Sequence, residues 1–260
     1  MSSWSYRGTA LDDLGIVTLV SDSFRMPERR GKNILIPLRD GREFVEKMFE
    51  QRSMSLGLEV DAESIEALEA AIDVVKTLFG KRTLGTLQQT LESGAVRTAQ
   101  AELEGDLSPS RISPNDVRML LEFTMPNPFF YSDTLTTDTQ TINASPKTYT
   151  LNNPGTVGKV DPKIVLTGPL SSPEITNVTN GVKVKYNAAI TAGHYVTIDV
   201  DAVTGEYTAV DDLAVNVIGN VSHEGDAALF VLDSDDNSIS VTDGTATTGT
   251  VKIEFYAPNL

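Results

Sequence analysis

Two histidines, His194 and His223, are the only imidazoles in this 260-residue chain, and cysteine is absent. Serine-type catalysis needs a histidine beside the hydroxyl as general base, with a carboxylate to orient it. His194 lies in AGHYV, and His223 lies in VSHEGD beside Glu224 and Asp226. Neither is near a Gly-x-Ser-x-Gly elbow or a His-Glu-x-x-His pair, so a structural or exposed ring is the expectation for both. The lack of cysteine excludes disulfides, thiolate catalysis and thiolate-bound zinc. Carboxylates abound, which keeps glycoside cleavage by paired acids open on number alone. Sugar clefts, however, stack aromatic rings against the pyranose, and the only tryptophan is Trp4. Tyr186, Tyr195 and Tyr207 leave a narrow opening for a glycan.

Oxygen ligation is the other chemistry on offer. Asp233, Asp235, Asp236 and Asn237 form an oxygen-rich cluster of the kind that holds calcium, and Asp199 with Asp201 forms a smaller one. The mid-loop glycine and the distal glutamate of a calcium loop are missing. A solvated turn is therefore the expected state, with metal ligation by Asp233, Asp235 and Asp236 the lesser reading and no cofactor expected. GTVGKV at 155–160 lacks the spacing of a phosphate-cradling loop.

Charge is distributed with more purpose. The chain carries a formal net charge of -15, yet residues 25–41, RMPERRGKNILIPLRDG, set Arg25, Arg29, Arg30, Lys32 and Arg39 against only Glu28 and Asp40. An island of positive charge on an acidic molecule suits a defined contact with a copy or a partner; the bland alternative is a solvated hairpin. Residues 1–146 hold 15 basic against 22 acidic side chains, net -7, and residues 147–260 hold 6 against 14, net -8. Every arginine lies at or before Arg118. Such a balance opposes sequence-read nucleic acid, which needs a basic footprint. No apolar run approaches the roughly 18 residues of a membrane span, and the N-terminus lacks a basic region followed by an apolar one, so neither anchoring nor standard export is expected.

The elements that must position these residues change in kind along the chain. Gly15–Val20, Asn33–Pro37 and Met54–Val60 read as strands. Over 62–79, Ile65, Leu68, Ile72, Val75 and Phe79 recur at helical spacing, with Asp61 as expected N-cap and Gly80 as terminator. Strands are expected again over 95–107 and 118–125, which makes this half α+β. The stretch 132–162 is rich in Thr, Asn, Ser, Pro and Gly, and the domain boundary is placed inside it, near Thr150. Beyond it helix signals vanish. Nine strands are expected at 163–167, 174–178, 182–186, 195–200, 205–210, 215–218, 227–232, 238–241 and 250–256. Their spacing, with turns at Asn180-Gly181, Thr204-Gly205 and Asp243-Gly244, indicates an antiparallel sandwich.

LDDLGIVTLVSDSFRMPERRGKN followed by ILIPLRDG resembles the first domain of siphophage-type distal tail proteins, which join the tail tube to the tip or baseplate. Pro-Glu-Arg-Arg-Gly and then Ile-Pro-x-Arg-Asp-Gly carry the likeness, with Leu38 where many relatives have glycine. The second half follows the same family's order in DPKIVLTGPL, SPEITNVTNG, YVTIDVDAVTGEY and LFVLDSDDNSISV, with Asp236 in place of a frequent glycine.

The resemblance covers nearly the whole chain. It implies a small split β-barrel with one helix over 1–149, followed by an all-β jelly-roll or galectin-like sandwich over 150–260. It further implies a non-enzymatic virion protein, assembled in the host cytoplasm, whose first domains close into a homohexameric ring. The implied partners are further copies, the tail tube protein and the tip or baseplate hub protein, without sequence-specific nucleic acid or membrane. Arg25, Arg29, Arg30, Arg39 and Arg42 are the candidates for subunit or tube contacts. A carbohydrate-binding module that touches the host surface is the alternative reading; a surface or pilus adhesin is another, and it needs an export signal.

Overall fold

Apolar residues alternate along Met54, Leu56, Leu58 and Val60, and again along Val117, Met119, Leu121, Phe123 and Met125. That period of two commits both segments to strands with one buried face. The computed structural model describes residues 3–20, 26–32, 34–35, 40, 42–43, 47–157, 159–200, 205–224, 229–244 and 248–260. Antiparallel β-structure dominates it, with one α-helix among the described residues. The chain divides into two compact units, Met1–Tyr131 with Leu260, and Ser132–Asn259.

The first unit contains β1 (Ser3–Tyr6), β2 (Thr9–Ala10), β3 (Ile16–Leu19), β4 (Arg29–Arg30), β5 (Ile34–Leu35), β6 (Arg42–Glu43), β7 (Met48–Phe49) and β8 (Arg52–Asp61). After helix α1 (Ile65–Phe79) come β9 (Gly85–Thr90), β10 (Val96–Glu104), β11 (Ser110–Ser113) and β12 (Asp116–Met125). β8 and β12 pair over their full length, from Arg52 opposite Met125 to Asp61 opposite Asp116. A slip of one residue would turn both apolar rows to solvent, so the register is fixed by burial. β3 continues the sheet beyond β8, and Gly15 permits the approach, since a Cβ there would lie 2.2 Å from the Glu59 carbonyl oxygen. Against the buried face pack Leu68, Val75 and Phe79 of the helix. Tyr6 stacks on Phe79 at 5.3 Å, meets Phe123 at 5.2 Å, and donates its hydroxyl to the Ala101 carbonyl at 3.2 Å.

The helix begins later than its sequence implies. β8 runs through Asp61, which pairs opposite Asp116 and is therefore extended. Ser64 is the N-cap instead, and its hydroxyl accepts from the Ala67 N–H at 3.1 Å. Gly80 ends the helix, its N–H reaching the Lys76 carbonyl. Of the expected apolar stripe, Leu68, Val75 and Phe79 are buried, Ile72 is half-buried, and Ile65 in the first turn is exposed.

The second unit runs from β13 (Phe130–Thr141, its first two residues in the first unit) through β14 (Lys147–Asn153), β15 (Lys163–Thr167), β16 (Glu174–Asn177) and β17 (Val182–Tyr186). β18 (Tyr195–Val200), β19 (Tyr207–Asp211), β20 (Val221–Glu224), β21 (Asp235–Thr242) and β22 (Thr250–Asn259) follow. One sheet has the order β19-β18-β15-β22-β13 and the other β14-β21-β16-β17-β20. Both contribute to one core, with Ile164, Val196, Ile198 and Ile253 from the first sheet and Ile175, Val184, Ile239 and Val241 from the second. The Asn180-Gly181 turn joins β16 to β17, with Gly181 at φ +77°, a conformation glycine adopts without strain.

The Thr- and Asn-rich stretch is built rather than loose. Thr150 lies within β14, all seven residues of which pair with β21. Threonine is β-branched and suits a strand with one solvent-facing side, so polar composition here marks exposure and not a break. The compact units part at Tyr131 and Ser132. Over 215–218 no strand forms. Asp211 accepts from the N–H groups of Leu213 and Val215, which winds the segment into a turn that touches β19 by a single bridge, Val210 to Asn216.

Capping provides a direct check on the helix start. Ser64→Ala is expected to lower stability by about 1 kcal/mol in urea denaturation, whereas Asp61→Ala should stay within about 0.5 kcal/mol of the parent.

Candidate assembly surface

The arginine island rides on a hairpin that grows out of the β3–β8 pair. The Val20 N–H reaches the Ser55 carbonyl, and the Glu50 N–H reaches that of Glu28 at 2.7 Å. Arg29 then stands opposite Phe49 and Arg30 opposite Met48. Nested within that ladder, Ile34 pairs with Glu43 and Leu35 with Arg42. These rungs, within 28–32, 34–35, 42–43 and 47–50, make up the described part of an arm.

The foot of the arm is pinned by rings. The Arg29 guanidinium lies 5.5 Å from the Phe49 ring centroid, and Phe49 meets Phe129 edge-on at 5.6 Å. A cation over an aromatic face at an exposed site contributes about 0.5–1 kcal/mol, which orients Arg29 without neutralising it. Arg29, Arg30, Lys32 and Lys47 are exposed, as are Met26 and Met48. Beneath them a cavity of about 390 Å³ opens between 26–28 and 50–53. Its wall includes Arg52, which is 3% exposed and lies 5.3 Å from the Phe130 ring. Sequence reasoning did not single out Arg52; its place on the inward side of the alternating β8 pattern was the available signal. Arg25 and Arg39 fall outside the described residues, and Arg42 is placed by its backbone pairing alone. Arg29 and Arg30 thus lie on the β4–β7 ladder, and the backbone of Arg42 on the β5–β6 ladder.

No family model matches the chain, and no curated protein matches it either. Solved phage structures do. The crystal structure of the SPP1 Dit (gp 19.1) protein, described as a paradigm of the hub adsorption apparatus in Gram-positive infecting phages, aligns with a TM-score of 0.68 at 13% identity. The alignment covers 98% of this chain and 99% of that one. This chain has the SPP1 Dit fold. A chain of the phage p2 baseplate in its activated conformation aligns at TM-score 0.49 and 11% identity, over 98% of each.

A shared Dit fold at that identity speaks for the backbone, so each side chain is judged on its own geometry. Asp233, Asp235 and Asp236 do not converge; among the described residues no group of three or more His, Asp or Glu is placed to hold a metal ion. The Asp233 carboxylate accepts from the Asn180 amide and that of Asp236 from the Asn152 amide, each at 2.9 Å. The residue that organises this loop is Asn237, which has no exposed surface. Its side-chain oxygen accepts from the Asp233 N–H and from the Asn177 amide, both at 2.9 Å. Its own amide donates to the carbonyls of Asp233 and Asp235. The cluster is an asparagine-knit turn.

The histidines occupy different sheets. His194 precedes β18 and pairs through Nδ1 with Asp212 at 2.8 Å on the surface. His223 in β20 meets the Tyr207 ring at 4.8 Å, and burial lowers its pKa from the ordinary 6.5. Of the tyrosines weighed for a glycan platform, Tyr186 is buried, Tyr207 is half-buried with its hydroxyl inside, and Tyr195 alone is exposed. One ring is a poor stacking surface for a sugar.

Truncating Asn237 to alanine removes four hydrogen bonds, one of them buried and three part-buried, so a marked fall in melting temperature is expected by calorimetry. Asp236→Asn should be nearly neutral, and added calcium should leave the parent's transition unmoved.

Proposed function

We propose that this chain is the distal tail protein of a long-tailed phage, a structural hub that joins the tail tube to the tip or baseplate. The observation that carries this reading is the full-length likeness to SPP1 Dit, which spans both compact units in order. In this reading the first unit is a small split barrel with one helix, the second is a β-sandwich, and six copies close the first units into a ring. The protein acts by shape and assembly in the virion, not as an enzyme. Its partners are its own copies, the tail tube protein and the tip hub protein.

Repeated heterologous contacts around a closed rotation give a rigid ring without special chemistry. The arm supports this role. In the ring the exposed Arg29 and Arg30 would face acidic surface of the next copy, with Arg25, Arg39 and Arg42 proposed for the same contacts, while Met26 and Met48 are exposed beside the cations. Attraction between exposed charges is screened at high ionic strength, so the ring should loosen with salt.

Light scattering of the purified protein at low salt is expected to show a species near six times 28.1 kDa that dissociates as salt rises. Reversing Arg29 and Arg30 together to glutamate should abolish that species and block incorporation into tails. Unchanged ring formation and unchanged tail assembly in the double variant would sink the assignment of the arm.

A further inference from the structure

In the second unit, the Tyr207 hydroxyl and both ring nitrogens of His223 are buried with no hydrogen-bond partner among the described residues. Buried polar atoms in folded proteins are nearly always paired, so such a cluster needs a physical account. The two rings meet at 68°. Tyr207 opens β19, the outer strand of one sheet, and His223 sits in β20, the outer strand of the other, so the pair bridges the two sheets at one edge. β20 is only four residues long and is paired to β17, with His223 opposite Val184.

Among the described residues, the charges nearby do not serve the imidazole. On β20 the neighbouring Glu224 is exposed and pairs with Lys183 at 3.6 Å. On β17, Lys183 and Lys185 stand opposite Glu224 and Ser222, which by strand alternation is the face away from His223. Across the gap, β19 presents Tyr207, and Glu206 before it is exposed. The Ile218–Asn220 turn that leads into β20 carries no titratable side chain. A neutral ring is tolerated there by packing. A protonated ring would hold two N–H donors and a charge with no described acceptor.

We propose that His223 makes the β20 edge acid-labile: protonation expels its ring from between the sheets, and β20 separates from β17 while the other strands stay paired. Because burial lowers the pKa of His223 below 6.5, the closed edge binds fewer protons than the open one. The edge is therefore fully closed above that value, and closure is lost as pH falls through the lowered pKa. Opening frees the backbone N–H and C=O groups along one side of Val182–Tyr186, an edge that another strand can pair with. The device is independent of ring formation, so its failure would leave the assembly reading untouched.

Amide hydrogen exchange on the full chain, corrected for the intrinsic pH dependence of exchange, tests this between about pH 7.5 and about pH 4.5. Residues 221–224 are expected to lose protection at least about tenfold at the acid end, while 250–257 keep theirs. His223→Phe retains a ring without a titratable nitrogen, and its β20 should stay protected throughout. In the parent chain, the His223 ring titration followed by proton NMR should share its midpoint with β20 opening. Protection of β20 across the whole range, the same acid loss in His223→Phe, or a ring that titrates at or above its ordinary value would each overturn the proposal. If His223→Phe does not fold, the parent's NMR titration and exchange midpoints decide between them.

Discussion

Three asparagines without exposed surface, Asn153, Asn177 and Asn237, decide how the second unit's strands are connected. A primary amide brings donors and an acceptor into the interior, and each must find a partner there or cost free energy. Here the partners are backbone groups of one connection. Asn177 donates to the Val231 carbonyl, Asn153 to that of Asp233, and Asn237 to those of Asp233 and Asp235. Asn180 repeats the Val231 contact from the neighbouring turn. The segment before β21 can satisfy all of these along one path, which in turn aligns β14, β21 and β16. A shifted register would bury the same amides unpaired, so the network specifies the arrangement as well as stabilising it.

The first unit reaches order by a different route. Its core is aromatic and aliphatic, with Tyr6, Phe79 and Phe123 in mutual contact above the β8–β12 pair. Because β8 is locked along its length, the chain that enters it arrives in a fixed direction, and the Arg29–Phe49–Phe129 stack fixes the arm's foot beside it. Cations placed beyond that anchor remain exposed, yet their starting point is defined. Such pre-orientation lowers the entropy lost when a partner docks.

Legibility in the sequence followed the contrast between buried and exposed faces. Val182–Tyr186 and Tyr195–Val200 have the bounds their apolar–polar alternation implies, and Lys163–Thr167 has those of a short apolar run between polar ends. β9 was not legible: GTLQQT places Gln89, only 3% exposed, on the inward side, and a buried glutamine mimics a polar loop. β13 was hidden for the complementary reason, since its threonines face solvent along most of its length. The arm's charge was visible, whereas the ring that holds Arg29 was not, because Phe49 is separated from it by nineteen residues and becomes its neighbour only through pairing. The 233–237 composition implies a solvated turn, with metal ligation by Asp233, Asp235 and Asp236 the lesser reading, since solvated, oxygen-rich and asparagine-knit turns share a composition, yet Asn237 has no exposed surface. What separates them is burial, which a local motif does not carry.

Charge also constrains how copies of this chain can meet. At a formal net charge of -15, approach of two copies is opposed almost everywhere. The second unit sharpens this, with arginine absent from residues 147–260 and 6 basic side chains set against 14 acidic ones. A contact that repeats one patch against itself would bring arm to arm, cation to cation, or acidic surface to acidic surface. Neither is favourable. Setting the arm of one copy against a different, acidic face of the next is the arrangement in which both opposing charges find partners. That contact is heterologous, and heterologous contacts produce closed rings or open filaments rather than two-fold dimers. A basic arm on an acidic body is thus a charge distribution that favours heterologous contacts, which the proposed ring would use, for reasons that do not depend on any single side-chain contact.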